Sequence, residues 1–246
     1  DLAAVGTLPA QERAQKWVFE WIARYGRGKG AGWTPDLTGR RLIRWINHTT
    51  LLLAGRPPAD SHAFFASLTR QTVFLSRRWG AAAPGLPRFE ALAGLVHAGL
   101  SLTGMERRVT AATQALGREC AREIDSEGGV PTRNPEELLE VLTLLVWAAQ
   151  ALTEAGIAPA PDHPAAIARI APTLRALRHA DGGLARFHGG GRGLEGRLEQ
   201  SLAASGIRAA PPQGLAMGFV RLSAGRTSVI LDAAAPPEGR ASANAH

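Results

Sequence analysis

The stretch DGGLARFHGGGRG, residues 181–193, divides the chain. Six of its thirteen residues are glycine. Glycine is a poor helix interior residue, so no helix runs through this segment. Working outward from it, the two sides follow different periods. Upstream, apolar residues recur at helical spacing: Trp17, Trp21 and Tyr25 stand at i, i+4 and i+8, with Val18 and Ile22 beside them. Downstream, Gly218-Phe-Val-Arg-Leu-Ser and Arg226-Thr-Ser-Val-Ile-Leu-Asp are β-branched or alternating. Ser223-Ala-Gly-Arg joins them as a hairpin turn.

The helical part continues over 37–54, 59–79, 88–103, 105–124, 135–155 and 163–180. Gly55, Pro57, Pro58, Pro131, Pro135, Pro159, Pro161 and Pro164 mark the joints. The pattern is a series of antiparallel helical hairpins with short connections. Residues 1–182 are read as a helical domain, and 183–246 as a linker and the first strands of a β domain. The strands alone make a marginal sheet, so the chain reads as a piece of something longer.

Composition excludes several classes. The 246 residues are 45% hydrophobic and 20% charged, the mixture of a folded chain rather than a disordered one. The longest apolar runs, such as Val141–Ala149, are shorter than the roughly 18–20 residues of a membrane span. Cys120 is the single cysteine, which excludes an internal disulfide and a multi-cysteine metal site. It reads as a buried helical thiol. The sequence holds no HExxH, CxxC or GxSxG. The Gly26–Gly32 loop follows a helix and lacks the GK[ST] ending of a nucleotide site, so it reads as an interhelical connection.

The net charge is +7, and of 28 basic residues only Lys16 and Lys29 are lysine. Arginine forks onto carboxylates, sulfates and phosphates. Such a surface suits an acidic polymer, and no nucleic-acid module accompanies it. His97 sits in the apolar run LAGLVHAGL and reads as a hydrogen-bonded core histidine; Asn47–His48 reads as a helix-packing pair. The densest polar clusters are 125–135 and 178–191. Each joins a Gly-Gly turn to an acid and an arginine in a loop at a helix end. Asn134 before Pro135 also has the form of a helix N-cap.

Four segments in order resemble the heparinase II/III-like family, in its alphaproteobacterial branch: WTPDLTGRRLIRWI, DSEGGVPTRNPEELLEVL, LRHADGGLARFHGGGRG and SVILDAAAPPEGRASANAH. The resemblance covers nearly the whole chain. It implies a mainly α fold, an incomplete (α/α) toroid of antiparallel helical hairpins followed by the first strands of an antiparallel β-sandwich domain. It also implies a polysaccharide lyase-like function, β-elimination on an acidic, uronate-containing polysaccharide. A base takes the C5 proton, the neighbouring carboxylate is neutralised, and an acid protonates the leaving oxygen. The alternatives are a relative that binds carbohydrate without cleaving it, and a helical interaction domain.

The sequence departs from the family at the expected motifs. Gly85-Leu86-Pro87-Arg88 stands where the family has Asn and His. Arg133–Leu138 lacks the family's tyrosine; the only tyrosine is Tyr25. His179, His188 and Asn134 are the candidate catalytic residues, His because it titrates near neutrality. Arg133, Asp181 and Arg186 are the candidate substrate-binding residues. The resemblance gives His246, in the ANAH ending, as a ligand of a structural divalent metal in the β domain; otherwise it implies no cofactor. It places such a protein in the periplasm or cell envelope.

Overall fold

The structure is a computed structural model that describes residues 2–225 and 227–237. The elements are α1 (Leu2–Val5), α2 (Leu8–Tyr25), α3 (Pro35–Asn47), α4 (Thr49–Leu53), α5 (Pro58–Arg78), α6 (Leu86–Ser101), α7 (Val109–Glu123), α8 (Pro135–Glu154), α9 (Asp162–Ala176) and α10 (Arg197–Ala204). Short 3₁₀ turns follow α5 and precede α7. Strands β1 (Leu215–Ala216), β2 (Phe219–Ala224) and β3 (Thr227–Asp232) form an antiparallel sheet in that order. The mainly helical fold ending in antiparallel strands is therefore the one observed. Among the described residues no helix is long and apolar enough to cross a membrane.

Two compact units make up the chain. The first contains residues 1–83 and 90–113; the second contains 84–89 and 114–246. Within 183–246, read as a linker and the first strands, helix α10 precedes the strands, which begin at Leu215.

The first unit is built on aromatic packing. Trp21 stacks on Trp33 with centroids 5.9 Å apart and meets the edge of Trp45 at 5.4 Å. Trp45 stacks on Phe64 at 5.8 Å. Arg41 is enclosed against the Trp21 face, 4.0 Å from its centroid, and burial pulls its pKa down to about 10. The backbones of α3 and α6 touch at two glycines. A Cβ on Gly39 would lie 2.9 Å from Ala91 Cα, and one on Gly94 would lie 2.8 Å from the Gly39 carbonyl carbon. The helix expected over 37–54 breaks at His48, which has φ −106° and ψ 19°, so α3 and α4 are separate.

In the second unit the core of α8 is nearly continuous: Leu138, Leu139, Val141, Leu142, Leu145, Ala148 and Leu152 are buried. It packs against α9 through Ala166, Ile167, Ile170 and Leu174. Cys120 is buried, and its pKa is pushed up to about 12, first by burial and then by Asp162 and Glu119. That is an inert thiol. The β2–β3 hairpin pairs Phe219 with Asp232 and Ala224 with Thr227, the joint expected from the sequence.

Candidate functional site

Both candidate segments, 125–135 and 178–191, belong to the second unit. They meet. The Asn134 amide Nδ2 donates to the His188 carbonyl at 3.2 Å, and the Gly191 N–H donates to Glu136 Oε2 at 2.6 Å. A Cβ at Gly190 would collide with the Asn134 side chain, so glycine there permits this approach.

Asn134 is the N-cap of α8. Its Oδ1 accepts from the N–H groups of Glu136 at 2.9 Å and Glu137 at 3.2 Å. Pro135 occupies the first helical position. These bonds satisfy backbone donors that no helix carbonyl can reach.

Arg133 has φ +51°, a left-handed conformation that costs a non-glycine residue about 1 kcal/mol or more. That conformation accompanies a guanidinium spent on the β hairpin. Nε donates to Met217 O at 3.0 Å, Nη1 to Ala235 O at 2.6 Å and Ala234 O at 3.4 Å, and Nη2 to Gly218 O at 3.2 Å and to Asp232 Oδ1. The group also lies 4.8 Å from the Phe219 ring centroid. All five N–H donors of the fork are engaged.

His188 also turns toward Asp232. Its Nε2 stands 3.1 Å from Asp232 Oδ2, an ion-pair distance that is off the line of a hydrogen bond. Its side chain is fully buried, and Nδ1 has no hydrogen-bond partner among the described residues. The ring lies 5.9 Å from Phe219. Arg133 and His188 thus tie the loops to the strands, with Asp232 as their shared anchor, and Asn134 ties the two loops to each other. Sequence reasoning missed Asp232. Its only signal was a carboxylate at the end of a strand.

His179, Asp181 and Arg186 stand apart from that knot. Asp181 lines a recess of about 630 Å³ with Arg178, Gly183, Arg192, Glu195 and Glu199. Its Oδ1 accepts from the Gly183 N–H at 2.9 Å, and Arg192 Nη2 is 2.9 Å from Oδ2. The Gly183 bond, then Arg192 and His179, hold the Asp181 carboxyl below its usual range. Arg178 pairs with Glu199 at 2.9 Å. The recess therefore offers donors and acceptors in matched pairs, a lining suited to sugar hydroxyls. His179 is half-buried beside it, its N–H donating to Gly183 O at 2.8 Å. Arg186 is exposed and makes no hydrogen bond or ion pair among the described residues.

His97 is buried as expected, but its Nε2 has no hydrogen-bond partner among the described residues. Burial alone drives its pKa down to about 4. Among the described residues no three His, Cys, Asp or Glu cluster as a metal site; His246 lies outside them.

The chain matches no protein-family model. It is 32% identical over 251 residues to FtsZ-localized protein C of Caulobacter vibrioides, an alignment that covers all of this chain. The chain spans 42% of that relative's length. Its fold is similar to that of a heparan sulfate lyase HepC mutant from Pedobacter heparinus, with a TM-score of 0.61 and 16% identity. That likeness covers 96% of this chain and 42% of the lyase chain. The fold is heparinase-like, as the resemblance in the sequence implied.

Proposed function

We propose that the chain is part of a polysaccharide lyase-like protein that engages an acidic, uronate-containing polysaccharide, with β-elimination as its chemistry. The fold likeness to a heparan sulfate lyase over 96% of the chain is the observation that carries this reading. The recess at Asp181 and Arg192 supports it, since paired carboxylates and guanidiniums suit sugar hydroxyls. His179 is the proton-transfer group of this proposal, because it is half-buried next to that recess and no hydrogen bond from the described residues ties its ring. Arg186 supplies a free guanidinium for a carboxylate.

A second reading is binding without cleavage. Specific observations favour it: Asn134 is spent on a helix cap and His188 is buried against Asp232. A third is a helical interaction domain, supported by the likeness to an FtsZ-localized protein. In that case the whole protein acts with FtsZ, whereas the first reading fits the periplasm or cell envelope.

One experiment separates the three. The whole protein is incubated with heparan sulfate, alginate and polyglucuronate. Ultraviolet absorbance of the unsaturated product and binding to each polymer are followed in parallel. Rising absorbance that His179→Ala abolishes supports the lyase reading. Binding without absorbance supports the second. Neither, together with co-sedimentation with FtsZ filaments, supports the third and overturns the first two.

A further inference from the structure

The net charge is not spread over the chain. The first unit has fourteen Lys and Arg against seven Asp and Glu, and the second has fourteen against fourteen. The whole +7 therefore belongs to the first unit. Within that unit, one recess of about 340 Å³ collects four guanidiniums: Arg27, Arg70, Arg77 and Arg78, around Trp33 and Phe74. Among the described residues no carboxylate lines it.

What sets these four apart is that they lack a carboxylate partner among the described residues and are gathered in one recess; Arg44 and Arg186 also lack one but stand outside it. Arg40, Arg56, Arg88, Arg122, Arg133, Arg178, Arg192 and Arg197 each sit on a carboxylate. Arg27, Arg70, Arg77 and Arg78 make no ion pair among the described residues, and all four are exposed. Among the described residues, their one side-chain hydrogen bond runs from Arg70 Nε to the Gly26 carbonyl at 3.1 Å.

The recess is also held in shape. Trp33 Nε1 donates to the Tyr25 carbonyl at 2.7 Å, and the Trp33 N–H to Gly30 O at 3.2 Å. Trp33 meets Phe74 edge to face at 5.1 Å. Gly28, at φ +86°, and Gly30, at φ +107°, take left-handed turns open to glycine, folding the loop back onto the end of α5. The glycine-rich loop is thus an ordered wall beside the arginines.

Helix ends explain part of this arrangement. Arg77 and Arg78 occupy the last turn of α5, where a cation complements the helix dipole. That effect needs no aromatic wall and no arginines from the Gly26–Gly32 loop. Like charges gathered without a counter-charge repel one another, and an oxyanion relieves that repulsion.

We propose that this recess is an anion-binding site for the carboxylate or sulfate of an acidic saccharide, the sugar resting on the Trp33–Phe74 wall. The proposal rests on the polysaccharide reading above and adds a site that none of the candidate residues belongs to. Arginine rather than lysine fits the role, because its planar fork meets both oxygens of such a group. The recess holds roughly one sugar residue, so the neighbouring residues of the chain extend outside it.

The test is calorimetric titration of the full chain with an oligoglucuronate, in low and moderate salt. Wild type binds, and Arg77→Gln/Arg78→Gln lowers the affinity at least tenfold with a flatter salt dependence. Arg77→Lys/Arg78→Lys, which keeps the charge and the helix-end complement but loses the fork, falls between them. Circular dichroism and thermal unfolding confirm that each variant is folded. Wild-type affinity in the folded Gln variant overturns this site and leaves the polysaccharide reading standing. An absence of binding by wild type overturns both.

Discussion

Replacing Arg133 with alanine removes the clamp that joins the loop before α8 to the β hairpin. The acceptors at Met217, Gly218, Ala234, Ala235 and Asp232 lose the five N–H donors of the guanidinium. Hydrogen bonds to a charged group contribute about 1.5–3 kcal/mol each, but bonds sharing one side chain do not add. Breaking a buried ion pair costs about 3–5 kcal/mol. The Arg133 side chain is 11% exposed and Asp232 25%, so water takes up part of the loss. About 3 kcal/mol is the expected cost, at the lower end of that range.

The loss is local. Native-state hydrogen exchange of the β2 and β3 amides should speed up roughly 150-fold, the factor that corresponds to 3 kcal/mol. Amides of α8 and α9 should change far less. Arg133→Gly provides the backbone control. It loses the same bonds but relieves φ +51°, so it should be about 1 kcal/mol more stable than Arg133→Ala. Exchange of the strand amides within twofold of wild type in Arg133→Ala would refute the clamp.

Three further outcomes follow from the same geometry. Asn134→Ala removes the cap on α8 and the bond to His188 O, and urea denaturation should show a loss of about 1 kcal/mol. Gly94→Ala forces a Cβ against the Gly39 backbone; a loss of about 3 kcal/mol or more should appear as a large fall in Tm, and an unchanged Tm would contradict the backbone contact. His97 is buried neutral, so the unfolded chain takes up its proton first as pH falls. Stability should be level above the unfolded pKa near 6.5 and decline toward the folded value of about 4. The part due to His97 is about 3 kcal/mol over that interval, and His97→Leu should flatten the decline. His163 is shifted the same way by burial, so the variant retains a residual slope.

The helices were legible because a 3.6-residue apolar period needs only neighbours in sequence. The cap at Asn134–Pro135 was legible for the same reason. The break at His48 was not, since Trp45, Ile46 and Leu51–Leu53 continue an apolar pattern across it. Helix α10 was hidden by the glycines before it, and its buried face is only Leu198, Ser201 and Leu202.

At the site, residue type pointed to chemistry and position decided the use. Arg133 has the side chain of an anion binder, but its partners lie 84–102 residues further along the chain, beyond any local pattern. His188 has the side chain of a base, but the Phe187–Phe219 stack, with centroids 4.5 Å apart, and Asp232 enclose it. The arginine excess was visible from composition. Its meaning depends on which arginines meet a carboxylate and where the rest gather, and only the packing of α5 beside the Gly26–Gly32 loop shows that four without one share a single recess.

The central claim is recognition of an acidic saccharide on a heparinase-like fold. Its most direct measurement is the equilibrium binding of the full chain to polyglucuronate and to a neutral glucan of matched length. Polyglucuronate should bind with an affinity that falls as salt rises, and the neutral glucan should bind at least tenfold more weakly. Equal affinity for the two polymers, or no binding to either, would contradict the claim.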